Sequence, residues 1–200
     1  MGKKEEEISP DKDITDYIVQ DRMSGEFSTD ILHRKVFNVN IRLMGTSPGY
    51  FKIVMETIQY MRDVLRQDYS NYSTVRGISG ANVGIPFNII GIRLRAKPKP
   101  PGFLLIDGFN GTTFMINPQI VERSEATREC TSNCGSVRLK SSIKVLRNKW
   151  VRVEYYNMNL IKETHKFEGF LGYTIQHEVE HNQGVLVTDK ITTQEVVNNA

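Results

Sequence analysis

The sequence predicts an α+β fold: antiparallel β-sheets packed around a central helix that carries two histidines, with an amphipathic helix nearer the N-terminus. Three observations lead there. Apolar residues recur at three- and four-residue spacing over 51–65, β-prone stretches separated by turn and Pro/Gly signals run from 87 to 167, and a helix-length segment follows that stops at Gly184. Strands on either side of one buried helix favour α+β over a regular alternation of strand and helix.

Taken in order, residues 1–30 are polar and charged without a sustained period and read as an N-terminal arm, leaving 31–200 as one domain. Phe51, Val54, Met55, Ile58, Met61 and Leu65 form one stripe of an amphipathic helix. The polar stretch 67–76 leads into Gly77-Ile-Ser-Gly-Ala-Asn-Val-Gly84, where small residues allow a close approach to the backbone. Residues 87–95 are β-prone and end at a Pro/Lys-rich loop, 96–102, that cannot continue a ladder. Further strands are expected at 103–106, 113–116 and 119–123. Val151, Val153 and Tyr155 alternate with Arg152, Glu154 and Tyr156, and the turn at 157–159 returns the chain through 160–167. The last helical pattern, FLGYTIQHEVEHNQG, closes on Gly184, and a weak helix is expected at 192–198.

Composition excludes several classes. Two hundred residues with 39% hydrophobic content suit one domain with its own core. The net charge of +3 comes from 26 basic and 23 acidic residues that are interspersed, which argues for a solvated surface and against a nucleic-acid partner. The sequence holds no run apolar enough to span a bilayer, and MGKKEEEISP is too charged for a signal peptide. A soluble intracellular protein is expected, in the cytoplasm or in an organelle such as the mitochondrion. Cys130 and Cys134 are too few for a disulfide framework.

The chemistry concentrates in His177-Glu178-Val179-Glu180-His181. Residues four apart share a helix face, so two imidazoles there can hold one metal ion, and Glu178 beside them is placed to move a proton at the site. A catalytic site of this kind needs a third protein donor. The position where one protease class has a third histidine is Val187, Asp189 and Glu195 have no local support, and Cys134 is the stronger candidate, with Cys130 its rival.

Gln176-His177-Glu178-Val179-Glu180-His181 resembles the Gln-His-Glu-x-Asp-His motif of the peptide deformylase family, with Glu180 in the aspartate's place. Gly184, Leu186 and Asp189 are similar to the continuation of that motif, and Asn117-Pro118 to the family's Ile-Asn-Pro segment. Ser132-Asn133-Cys134-Gly135-Ser136 resembles Glu-Gly-Cys-Leu-Ser but keeps only the cysteine and the final serine. The run from Gly77 to Gly84 is similar to Gly-x-Gly-x-Ala-Ala-x-Gln, with Gly84 where the family has glutamine.

The resemblance implies one divalent metal held by Cys134, His177 and His181. Iron(II) would be the natural ion, and zinc or cobalt(II) would be able to substitute. It implies Glu178 as the proton carrier and the backbone N–H of Gly135 as an oxyanion donor; Asn82 and Asn133 are candidates to replace the absent glutamine, though the commoner role of such residues is in turns. The substrate implied is an N-formyl peptide or nascent polypeptide lying as an added strand beside Gly77, Ile78 and Ser79. Ile78, Phe170 and Tyr173 would line the pocket for its first side chain. The two altered motifs also fit a metal-binding relative with little turnover; the three donors retained together with Glu178 favour catalysis.

Overall fold

The computed structural model describes residues 32–67, 75–94, 111–132, 134, 136 and 143–193. The expected arm at 1–30, the β-prone stretch at 103–106, and Asn133 and Gly135 lie outside the described residues.

The architecture is mixed, with antiparallel sheets and few helices. A short helix α1 (Ile41–Thr46) is capped by Asn40, whose side-chain oxygen accepts from the Leu43 N–H. Helix α2 (Pro48–Gln67) starts on a proline, whose fixed φ and missing N–H suit the first helical position. Strands β1 (Val75–Ser79), β2 (Ile89–Leu94), β3 (Thr112–Arg123), β6 (Trp150–Tyr156) and β7 (Lys162–Glu168) form one antiparallel sheet in the order β1-β2-β3-β6-β7. Strands β4 (Thr127–Ser132), β5 (Ile143–Asn148) and β8 (Ile191–Thr193) form a smaller sheet. Helix α3 (Gly169–Asn182) follows β7, and a 3-10 turn (Val187–Lys190) precedes β8.

The middle of the five-stranded sheet is buried on both faces and is apolar without alternation: all six residues of β2 are buried, whereas β6 and β7 alternate. Odd-numbered β2 positions face α2, where Ile89 joins Ile78, Phe114 and Ile116 against Val54, Ile58, Met61 and Leu65. Even-numbered positions face α3, where Ile90 and Ile92 join Met115, Val151, Val153 and Phe167 against Ile175 and Val179. Within β3, Asn117 takes φ 54° before Pro118, and the register shifts there. Its backbone N–H donates to Asn88 C=O at 2.7 Å, and its side chain ties the segment before α1 to the strand, accepting from Val39 N–H at 2.7 Å and donating to Val39 C=O at 2.8 Å.

Four strands differ from the sequence expectation. No strand was expected over Val75–Ser79, which spans the end of the polar stretch and the start of the small-residue run, yet it pairs along its whole length with β2, whose hydrophobic faces supply the burial that glycine and serine do not. Strands β4 and β5 have no expected counterpart. Their alternation is masked by charge, because one of the inward positions of β5 is Arg147. At the C-terminal end, β8 overlaps at 192–193 the weak helix expected over 192–198, and the remainder of that stretch lies outside the described residues.

Candidate metal centre

Helix α3 brings His177 and His181 to one face, their rings 4.5 Å apart and nearly perpendicular. Their Nε2 atoms are 3.1 Å apart, and Cys134 Sγ is 3.2 Å from His181 Nε2. One donor atom from each of the three residues lies within 4.8 Å of the others. Cys130 stays apart on β4, its sulfur directed at the Arg128 carbonyl at 3.6 Å.

This donor set fits a metal ion. Metal–nitrogen and metal–sulfur bonds of about 2.0 and 2.3 Å in tetrahedral geometry place nitrogens about 3.3 Å apart and sulfur about 3.6 Å from nitrogen. The two separations at His181 fall a few tenths of an ångström inside that, while all three donors lie within 4.8 Å of one another. Burial holds both imidazoles neutral, with His177 lowered to about 3 and His181 to about 4. For His177 the neighbouring His181, Arg147 and Lys190 push the same way; for His181, Glu180 opposes the shift. Neutral imidazoles and a thiol suit iron(II), zinc or cobalt(II) better than a hard cation. His181 Nδ1 is buried with no hydrogen-bond partner among the described residues.

Glu178 projects from the same helix against β1. It is 4% exposed, its Oε2 has no hydrogen-bond partner among the described residues, and burial raises its carboxyl to about 8 against the pull of Arg147 and Arg76. Gly77 makes room for it. A Cβ added there would stand 2.5 Å from both Cγ and Oε1 of Glu178. A carboxyl that exchanges its proton near neutrality suits acid–base work.

Other contacts were not legible from sequence. Glu180 pairs through Oε2 with Arg147 and through Oε1 with Lys190, and Arg147 Nη2 lies 3.4 Å from His177 Nδ1. Gln176 grips β5 by accepting from Asn148 N–H at 3.0 Å and donating to Asn148 C=O at 2.9 Å. Asn82, in the 3-10 turn Ala81–Val83, accepts from the Ser79 N–H and hydroxyl and donates from Nδ2 to Ser136 Oγ at 2.5 Å. It therefore joins the β1 turn to the cysteine segment. Arginine and lysine far along the chain carried no spacing signal, and only the small-residue run hinted at the close approach at Gly77.

The residues expected to line a substrate pocket are not on one surface. Ile78 is 6% exposed and its side chain joins the core beneath α2, on the sheet face opposite Gly77 and Glu178. Ser79 is buried beside Asn82. Phe170 is 56% exposed in the first turn of α3, and Tyr173 is half-buried one turn later. Gly84, with φ 73°, caps the 3-10 turn.

Residues 29–197 match the family described as polypeptide deformylase. The chain belongs to that family. It is 27% identical over 155 residues to the peptide deformylase of Rickettsia typhi, covering 76% of this chain and 82% of that protein. The fold is similar to the Met-Ala-Ser-bound class I type b peptide deformylase from Acinetobacter baumannii, with TM-score 0.62 and 24% identity over 84% of this chain and 94% of that one. A peptide deformylase from Plasmodium falciparum gives TM-score 0.61 and 25% identity over 84% of each chain. Deformylases are metal-dependent hydrolases, and the described residues hold a possible Cys/His/His site. No helix among the described residues is long and apolar enough to cross a membrane.

Proposed function

We propose that this chain hydrolyses the formyl amide of N-terminal formyl-methionine on peptides or nascent polypeptides. Cys134, His177 and His181 would hold a divalent ion, iron(II) by preference, with zinc or cobalt(II) able to replace it. The observation that carries this reading is the convergence of those three donors beside a buried carboxyl, in a chain of the deformylase family. When bound, the ion supplies Lewis acidity to the reaction.

The protein's own groups do the remaining work. Glu178, as carboxylate, takes a proton from the attacking water and returns it to the amine nitrogen as the C–N bond breaks, so that formate and a free N-terminus leave. A nearby dication favours the ionised form, offsetting the burial that raises this carboxyl in the metal-free protein. Because β1 is an edge strand among the described residues, pairing only with β2, a peptide can extend the sheet along Gly77, Ile78 and Ser79. Ile78 would then contribute backbone, since its side chain serves the α2 core, while Tyr173 and Phe170 would meet the first side chain of the substrate. Gly135 N–H would serve the oxyanion, with Asn82 bracing the cysteine segment through Ser136.

The test is formate release from a formyl-Met peptide by protein purified without oxygen and loaded separately with iron, cobalt or zinc. Turnover should follow metal content and fall on the order of 10²–10⁴-fold in Glu178→Ala. Stoichiometric metal with no formate released would reject the reading.

A further inference from the structure

Away from the metal donors, the segment before α1, the bulge in β3 and the C-terminal end of α3 enclose a cavity of about 610 Å³. That volume lies in the usual range of small-molecule sites, roughly 300–1,000 Å³. Val179 and Gln183 line it from the side of α3 opposite His177 and His181, so the cavity and the metal donors are separated by the thickness of the helix.

Val39, Leu43 and Val179 give the cavity an apolar wall, whereas its polar groups are one-sided. Lys35 is the charged residue of the lining, and no aspartate or glutamate accompanies it among the described residues. The amides are oriented by the backbone. Asn182 accepts from Ala81 N–H at 3.3 Å through Oδ1 and donates from Nδ2 to Ile89 C=O at 3.1 Å and to Asn88 Oδ1 at 3.1 Å. Asn88 Nδ2 donates in turn to Asn38 Oδ1 at 2.8 Å, which leaves the NH₂ of the exposed Asn38 as the open end of this relay. Asn40 is set in the same way, because its Oδ1 accepts from Leu43 N–H as the cap of α1. An amide whose oxygen is turned to an internal donor presents its NH₂ on the other side. Gln119 and Gln183, both exposed at the rim, can turn either end of their amides inward.

We infer that this cavity binds a small organic anion with an apolar body. Lys35, Asn38 and Asn40 receive its carboxylate, and Val39, Leu43 and Val179 receive its hydrocarbon part. An ammonium ligand of the same shape would meet an ammonium and two amide NH₂ groups with no carboxylate to accept it. A cleft that merely holds solvent would show no such preference. The inference does not depend on reading Cys134, His177 and His181 as metal ligands.

The experiment titrates the full chain with phenylbutyrate and with phenylbutylamine, two probes with the same apolar body and opposite charge, followed by two-dimensional amide NMR. Phenylbutyrate should shift the amides of Asn38, Leu43 and Gln183, and phenylbutylamine should bind at least about 10-fold more weakly. The double variant Asn38→Asp with Asn40→Asp keeps the oxygens that accept from Asn88 and Leu43 and replaces only the outward NH₂ groups, so the fold should be retained. It should weaken phenylbutyrate at least about 10-fold and reverse the preference between the probes. No binding of phenylbutyrate, equal binding of the two probes, or an unchanged preference in the double variant would overturn the inference. Shifts confined to Cys134, His177 and His181 would also overturn it, by placing the anion at the metal centre.

Discussion

Replacing Gly77 by alanine tests whether β1 serves catalysis by leaving space for Glu178. An added Cβ would stand 2.5 Å from Cγ and Oε1 of Glu178 and 2.8 Å from Cδ, whereas ordinary contact begins near 3.4 Å. The carboxyl must therefore retreat by about 1 Å, and a misplacement of that size near the reacting atoms costs on the order of 10²-fold in rate. The fold should lose less. Overpacking costs about 1–3 kcal/mol, offset in part by the roughly 0.5–1 kcal/mol that alanine gains over glycine inside a strand. Steady-state formate release from a formyl-Met peptide separates the roles: displacement of Glu178 lowers kcat with KM nearly constant, while loss of a substrate contact raises KM. Cobalt binding should be retained, since the atoms nearest the added methyl all belong to Glu178. A Gly77→Ala protein with unchanged kcat would refute the idea that this glycine is required by the carboxyl.

Two further outcomes follow from the same site. In the metal-free protein Glu178 sits at about 8 in the fold against 4.5 as its ordinary value. Its contribution to stability is thus complete below about pH 4.5 and is lost as pH rises towards 8, so Glu178→Gln should gain on the unsubstituted protein by up to about 4 kcal/mol between pH 5 and 8. Urea unfolding of both metal-free proteins at the two pH values measures this, and a pH-independent difference would contradict it. The lowered histidines act in the opposite direction in both proteins, their contribution being present above 6.5 and lost as pH falls towards 4 and 3, so they cancel in the comparison. Cys134→Ser should abolish thiolate-to-cobalt absorption and Cys130→Ser should preserve it, because only Cys134 directs its sulfur at the histidines. Loss of the band in Cys130→Ser would reverse the assignment.

The mixed architecture of antiparallel sheets and few helices was legible because burial leaves a period. The alternation through Val151, Val153 and Tyr155 marks one buried face of β6, and its pairing with β7 follows the short turn at 157–159. What stayed hidden had its physical signal supplied by partners far along the chain. Strand β1 is carried by β2, 11 to 19 residues away at its paired positions, so a stretch of Gly and Ser reads locally as loop. Strand β5 places Arg147 inward, a choice that makes sense only once Glu180, 33 residues later, stands opposite. Near the site, the sequence pointed to donors by type and spacing, but it said nothing of the groups that hold them.

Those holding groups also link the stretch from Gly77 to Gly84 with the segment around Cys134. Asn82 lies in the run that ends at Gly84, and Ser136 in the run around Cys134; the Asn82 amide spans the gap between them. Its oxygen is fixed by two donors from Ser79, so the direction in which Nδ2 points is set by β1 and not by the cysteine segment. A residue without an amide at position 82 would leave Ser136 Oγ without this donor and would untie the segment two residues beyond the sulfur. On this geometry the Asn82 amide braces the segment that carries Cys134, whose sulfur lies 3.2 Å from His181 Nε2.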